Sequence, residues 1–299
     1  MKAFLALVRR ELIEHRGAFL LGPLLLVAII LAITILAFTV GRVNTRITGD
    51  LLNVLPLAVL FWASLFLGIA WGLYLLATLF FYCADGFAAD RRNNAMLFWK
   101  SMPVSDFTIL LSKLVAAVTI LPGAVFVVVL LSMAVMLATA QVTMLFSGIQ
   151  TGFGFAGLVQ VFWNIALIEG AQLVVALLWY LPFMAMVGSI ATIVGRWAIP
   201  GSLFLPALVS TLEWVTLGGL HPFATRTWNY LSYRMSMPQS AMVNTWIDGG
   251  PLSVDVSSGP AYVADLLRSV DWTQVAIGAV FALLVVFLAS EYRRRFNDN

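Results

Sequence analysis

The chain has 299 residues, of which 62% are hydrophobic, and its 17 Lys and Arg against 14 Asp and Glu give a formal net charge of +3. Charged residues make up only 10%, against about 25% in a soluble domain, and the mean hydropathy is +0.97. These values exclude a soluble globular chain and predict an all-α polytopic membrane protein, folded as a single transmembrane domain over residues 1–299.

Residues 1–16 alternate apolar and charged at helical spacing. Leu5, Val8 and Leu12 share one face, and Arg9, Arg10, Glu11 and Glu14 crowd the others. This predicts an amphipathic helix lying along the membrane surface. A first span follows over 17–40, with Gly22-Pro23 as a kink near its start. These N-terminal charges, followed by so long an apolar run, do not fit a cleavable signal peptide. A second span covers 55–82, in which Gly68 and Gly72 make a GxxxG pair that simple helix packing explains.

The stretch 89–106, ADRRNNAMLFWKSMPVSD, breaks the apolar pattern. It carries Asp90, Arg91, Arg92, Lys100 and Asp106, yet Met96, Leu97, Phe98 and Trp99 are four consecutive large apolar residues. The reading is a compact helical hook over 84–106, ended before Pro103, with Ser105 or Asp106 capping the next helix.

The third span runs over 109–140. Residues 141–164 are glycine-rich, aromatic and almost uncharged, which predicts a short re-entrant or interfacial segment. Gly152, Gly154 and Gly157 match a dinucleotide fingerprint in form only, because no strand precedes them and no βαβ unit surrounds them. A fourth span over 165–194 has Glu169 and Gln172 near its start. After a short turn, a fifth covers 201–217 with Glu213 near its end. Residues 218–271 read as a small folded cap, in which Ser258-Gly259-Pro260 opens a helix with an apolar stripe of Val263, Leu266, Leu267 and Val270. The last span, 272–290, ends in Arg293, Arg294 and Arg295.

Six spans put the N-terminus, the hook, the 195–200 turn and the C-terminus on one side. That side holds 12 of the 17 basic residues and the other holds 5, so the positive-inside rule predicts an N-in, C-in topology with the cap outside.

Catalytic chemistry is sparse. No GxxxxGK[ST] sequence is present, which excludes a P-loop on this chain. No HExxH occurs, the two histidines are far apart, and the single cysteine, Cys83, excludes an internal disulfide and a cysteine-cluster metal site. The chain is not expected to be an enzyme or to hold a cofactor. Glu169 and Glu213 are the intramembrane acids, both placed toward the outer ends of their spans, and are candidates for an outer gate or cap contact.

The cytoplasmic loop carries the pattern Asp90, Arg92, Leu97-Phe98-Trp99-Lys100-Ser101-Met102-Pro103-Val104-Ser105-Asp106 and then Ser112-Lys113. In this it resembles the membrane subunits of ABC-2 type exporters, in particular a bacterial branch with an LFWKS-x-PVSD loop. Trp179-Tyr180-Leu181-Pro182, Arg196, Pro206 and Glu213 extend the likeness, which covers nearly the whole chain. Asn93-Asn94 departs from it, since that branch carries more charge there.

The resemblance implies an ABC-2 (type V exporter-like) fold in the bacterial inner membrane, with residues 1–16 as a connecting helix and the hook as a coupling helix. It implies a homodimer that engages two copies of a separate ATP-binding subunit, with ATP and Mg on that partner and the translocation path between the two membrane subunits. Asp90, Arg91, Arg92, Phe98, Trp99 and Lys100 would contact the ATPase. Membrane lipids surround the spans, and no nucleic-acid partner is expected. The alternative is a secondary transporter, which calls for matched halves and buried mid-span charges. The sequence presents no convincing repeat and no acid read as mid-span.

Overall fold

A computed structural model of the chain describes residues 2–39, 56–92, 104–146, 154–218, 221–248, 255 and 257–296. Every regular element among them is a helix. Helix α1 (Lys2–Arg16) passes through a π-turn (Gly17–Leu21) into α2 (Gly22–Thr39). The Gly22 N–H bonds the Gly17 carbonyl, an i→i+5 step of the kind that marks a π-bulge. The kink expected at Gly22-Pro23 falls where the chain leaves this π-turn. Next come α3 (Pro56–Arg92), α4 (Asp106–Val118), α5 (Ile120–Phe146) and α6 (Phe155–Val194). A 3-10 turn (Gly195–Trp197) leads to α7 (Ala198–Leu217). The cap holds α8 (Arg226–Met235), α9 (Met242–Asp248) and α10 (Gly259–Ser269), and α11 (Trp272–Phe296) closes the chain.

Six helical stretches are long and apolar enough to cross a membrane. The chain is a multi-pass membrane protein. Helix α6 is central, packed along α3 on one side and α11 on the other. Helices α3 and α6 run parallel and in register, because Gly68 faces Glu169 and Phe87 faces Gly188 at the same separation on both helices. Each contact sets a glycine against a large side chain, which lets the helices approach over about 28 Å of axis.

Several expectations change. The third span is broken at Thr119 between α4 and α5, where Pro122 has no N–H for the Val118 carbonyl. Of the segment 141–164 expected to be re-entrant or interfacial, 141–146 extends α5 and 155–164 is the first part of α6, while 147–153 lie outside the described residues. Gly154 is the N-cap of α6 and Gly157 lies in that helix, while Gly152 is outside the described residues. Glu169 is therefore not at the start of its span. It lies about 21 Å along α6 from Phe155.

The amphipathic face of α1 is also rotated. Leu5 is exposed, whereas Val8 and Glu11 are buried, and Glu11 had been read as part of the polar face. In α10 the buried stripe is Tyr262, Leu266 and Val270, with Leu267 turned outward.

Two buried clusters divide the bundle by height. One joins Tyr82, Phe87, Leu110, Leu114 and Val187 near one end, called the base here. The other joins Phe61, Leu158, Ile165, Trp246, Tyr262 and Leu266 beneath the cap. Trp246 stacks on Tyr262 with ring centroids 5.5 Å apart and meets Phe61 edge-on at 5.6 Å.

Candidate functional site

Three arrangements carry the polar chemistry. The first is a charged layer at the base. Positions 4, 8, 11 and 15 of α1 share one helical face, and on it Glu11 is only 3% exposed. Its Oε1 accepts from Lys113 Nζ of α4 at 3.1 Å, and its Oε2 accepts from the Tyr82 hydroxyl of α3 at 2.8 Å. His15 meets the Tyr82 ring edge-on, with centroids 4.8 Å apart. Ser105 caps α4 by accepting the Thr108 N–H, one of the two caps expected. Asp106 Oδ1 lies 3.1 Å from Arg293 Nε near the end of α11. The base thus gathers α1, the facing ends of α3 and α4, and the end of α11. The turn Gly195–Trp197 packs there against α3.

The expected hook falls between these parts. Helix α3 continues to Arg92, so residues 84–92 extend a spanning helix. Asp90, Arg91 and Arg92 lie in its last turn, and their side chains are outside the described residues. Phe98, Trp99 and Lys100 also lie outside the described residues. Within the loop pattern, Ser105, Asp106 and Lys113 form contacts inside the chain itself.

The second arrangement holds the cap. Glu213 of α7 accepts the backbone N–H groups of Arg226 and Thr227, each at 3.0 Å. It therefore occupies the N-terminus of α8, where a carboxylate is favoured by the exposed N–H groups and the helix dipole. Arg234 of α8 is 1% exposed. Its guanidinium carbon sits 4.2 Å above the Trp179 ring, and one of its nitrogens donates to the Trp179 carbonyl at 2.7 Å. In return Trp179 Nε1 donates to the Arg234 carbonyl at 2.9 Å, and the Tyr180 hydroxyl donates to the Met235 carbonyl at 2.9 Å. Pro182, just beyond, has no N–H for the Leu178 carbonyl, so the cap is fastened where α6 is already loosened. In α10, hydrogen bonds from Ser240 and Ala241 hold Asp265 below the usual carboxylate range.

The third arrangement is a groove of about 510 Å³ between α3 and α6, roofed by Met237, Gln239, Val243 and Tyr262 of the cap. Glu169 lies in it opposite Gly68, where a Cβ would collide with the carboxylate. Gly72, the other half of the GxxxG pair, has nothing close to it, so only Gly68 meets α6 and Gly72 lines the groove. The Tyr262 hydroxyl donates to Gln172 Oε1 at 3.1 Å, and burial pushes this phenol up to about 12. Among the described residues, no three His, Cys, Asp or Glu side chains converge as a metal ion needs.

No family model, no curated protein and no solved structure matches the chain.

Of the two acids proposed for the outer end, Glu213 fastens the cap and Glu169 faces the groove beneath it. Sequence reasoning missed Glu11, Lys113 and Arg234. An acid at helical spacing from Val8, together with a lysine inside an apolar run, was the available signal for the first two. For Arg234 no pattern stood out.

Proposed function

We propose that the chain is the membrane subunit of an ATP-driven exporter of the ABC-2 type, working as a pair of copies coupled to two copies of a separate ATP-binding subunit. The observation that carries this reading is the contact of Glu11 with Tyr82 and Lys113. It ties α1 to the two helices that flank the 93–103 connection. Force applied to that connection would reach α1 and both spans together, as an energy-coupling surface requires. The charge-assisted bonds of such a pair each contribute about 1.5–3 kcal/mol, enough to keep the three elements together. In this reading the base faces the cytoplasm, where basic residues concentrate, and the cap faces outward. ATP and Mg belong to the partner.

The test is co-purification in detergent of the chain with tagged ABC ATP-binding subunits from the same genome. One of them should be retained by the wild-type chain. Trp99→Ala should weaken its retention by about tenfold, the effect of losing one aromatic anchor at an interface. If no ATP-binding subunit is retained, the proposal fails. If Trp99→Ala is retained equally across a titration, the assignment of the contact to the hook fails.

One observation favours a second reading. Glu169 is a carboxylate inside a spanning helix, the kind of group that proton-coupled carriers use. Transport driven by a pH gradient without ATP, and lost in Glu169→Gln, would establish a secondary transporter instead.

A further inference from the structure

The groove between α3 and α6 is chemically lopsided. Its lining contains one carboxylate, Glu169, and no Lys, Arg or His. The polar groups around that carboxylate direct their hydrogens elsewhere. Trp71 Nε1 donates to the Ser132 hydroxyl at 3.0 Å, and the Tyr262 hydroxyl donates to Gln172. Gln172 Nε2 donates to the Pro238 carbonyl at 3.3 Å, and the Tyr180 hydroxyl donates to Met235. No described residue gives Glu169 a hydrogen bond or an ion pair. A carboxylate with no counter-charge in an apolar surround is costly.

Below Glu169 the groove is apolar and opens sideways along α3, where Ile69, Leu73 and Leu76 are exposed. From Leu65 to Leu79 it follows about 21 Å of helix. Its volume falls within the roughly 300–1,000 Å³ typical of small-molecule sites.

We propose that this groove binds an amphiphile with a protonated amine head and an alkyl tail. The ammonium sits under the cap against Glu169, and the tail lies along α3 toward the base. An ammonium brings the missing charge together with several N–H donors. An anion would meet the carboxylate with no cation to balance it. A metal ion would find one carboxylate where it needs several oxygen ligands. A small hydrophilic amine would leave the apolar length of the groove unfilled. A peptide would bring backbone groups that so apolar a lining cannot satisfy. The glycine at position 68 fits the same purpose, since any larger residue would displace the carboxylate. The inference stands on the groove alone and does not require an ATP-binding partner.

Photolabelling of the purified full-length chain in phosphatidylcholine nanodiscs tests it. The probe is hexadecylamine carrying a mid-chain diazirine, with the matching hexadecanol probe as control, and labelled peptides are mapped by mass spectrometry. The amine probe should label 65–79 and 168–177 saturably, and the alcohol should not. Glu169→Gln should weaken saturable labelling by the amine by about tenfold or more, with the melting temperature of the unliganded chain not lowered. Leu76→Trp, which leaves the carboxylate intact and fills the tail path, should abolish it as well. Unlabelled phosphatidylethanolamine and unlabelled hexadecylamine then compete separately. Competition by the first identifies a phospholipid source of the amine, and competition by the second alone identifies a single-chain amine. Equal labelling by amine and alcohol, competition by neither amine, or wild-type labelling in both Glu169→Gln and Leu76→Trp overturns the proposal.

Discussion

Lys113 Nζ lies 3.1 Å from Glu11 Oε1 across 102 residues of sequence, and each side chain is only 4% exposed. The Tyr82 hydroxyl shares the same carboxylate and also donates to the Lys113 carbonyl at 3.3 Å. Removing Glu11 takes from the buried Lys113 ammonium its carboxylate at 3.1 Å and from the Tyr82 hydroxyl its acceptor. Glu11→Ala should therefore destabilise the chain by about 3–5 kcal/mol, read as a lowered melting temperature in detergent. Glu11→Leu combined with Lys113→Met removes both charges while keeping volume, and should recover most of that loss. If the double variant is as unstable as the sum of the singles, the two groups act independently.

The base and the cap lie at opposite ends of the bundle, and the proposed N-in, C-in topology expects the loops beyond them on opposite sides of the membrane. Cysteines at Asn94 and Ser253, both outside the described residues, should be labelled from opposite faces in a Cys83→Ser background. An impermeant thiol reagent added to intact cells should reach position 253 and not position 94. Labelling of both from outside would overturn the six-span arrangement.

The fastening of the cap gives a prediction that separates geometry from charge. Arg234 has no carboxylate within 4 Å of its guanidinium among the described residues, and it is held by the Trp179 carbonyl and the Trp179 ring. Arg234→Lys keeps the charge but loses the planar fork that stacks and donates together. The charged hydrogen bond and the cation–π contact should not both survive, which costs about 2–4 kcal/mol. Hydrogen exchange should rise in α8 while α3 and α4 keep their protection. Unchanged exchange in α8 would mean that the Arg234 guanidinium does not fasten the cap.

The apolar architecture was legible in the sequence because period and length are local properties. The six apolar spans and the Ser105 cap follow from residues within one or two turns. What failed to read needed distant partners. Glu11 sits among Arg9, Arg10 and Glu14, and only the approach of Lys113 distinguishes it from a solvated acid. Glu169 reads as near a helix start because 155–164, with Phe155, Gly157, Phe162 and Trp163, follows Gly148, Gly152 and Gly154 in one glycine- and aromatic-rich segment, a composition that weakens the contrast between helix and loop. Tertiary packing made that stretch helical against α3 and α10, where Asn164 Oδ1 accepts the Gly259 N–H at 3.0 Å. The base layer lies beside the loop that the sequence singled out, whereas the groove left no sequence signal beyond Glu169 itself.

The parallel packing of α3 and α6 rests at the base on one side-chain fit, and that fit can be tested in both directions. A Cβ at Gly188 would lie 2.8 Å from the Phe87 ring, and Phe87 is 2% exposed, so the ring has little room to yield. Gly188→Ala should overpack the interface and cost about 1–3 kcal/mol, more than any gain in helix propensity, which is about 1 kcal/mol. Phe87→Ala should open a cavity and cost about 3–5 kcal/mol. Combining Gly188→Ala with Phe87→Leu trades ring volume for the added methyl. The pair should therefore be more stable than Gly188→Ala alone, a coupling that residues out of contact do not produce. The readout is the melting temperature, in one detergent, of the wild-type chain, Gly188→Ala, Phe87→Leu and their combination. Strict additivity of the two changes would mean that α3 and α6 do not meet at this point in the membrane, and the shared register that puts Gly68 opposite Glu169 would lose its support.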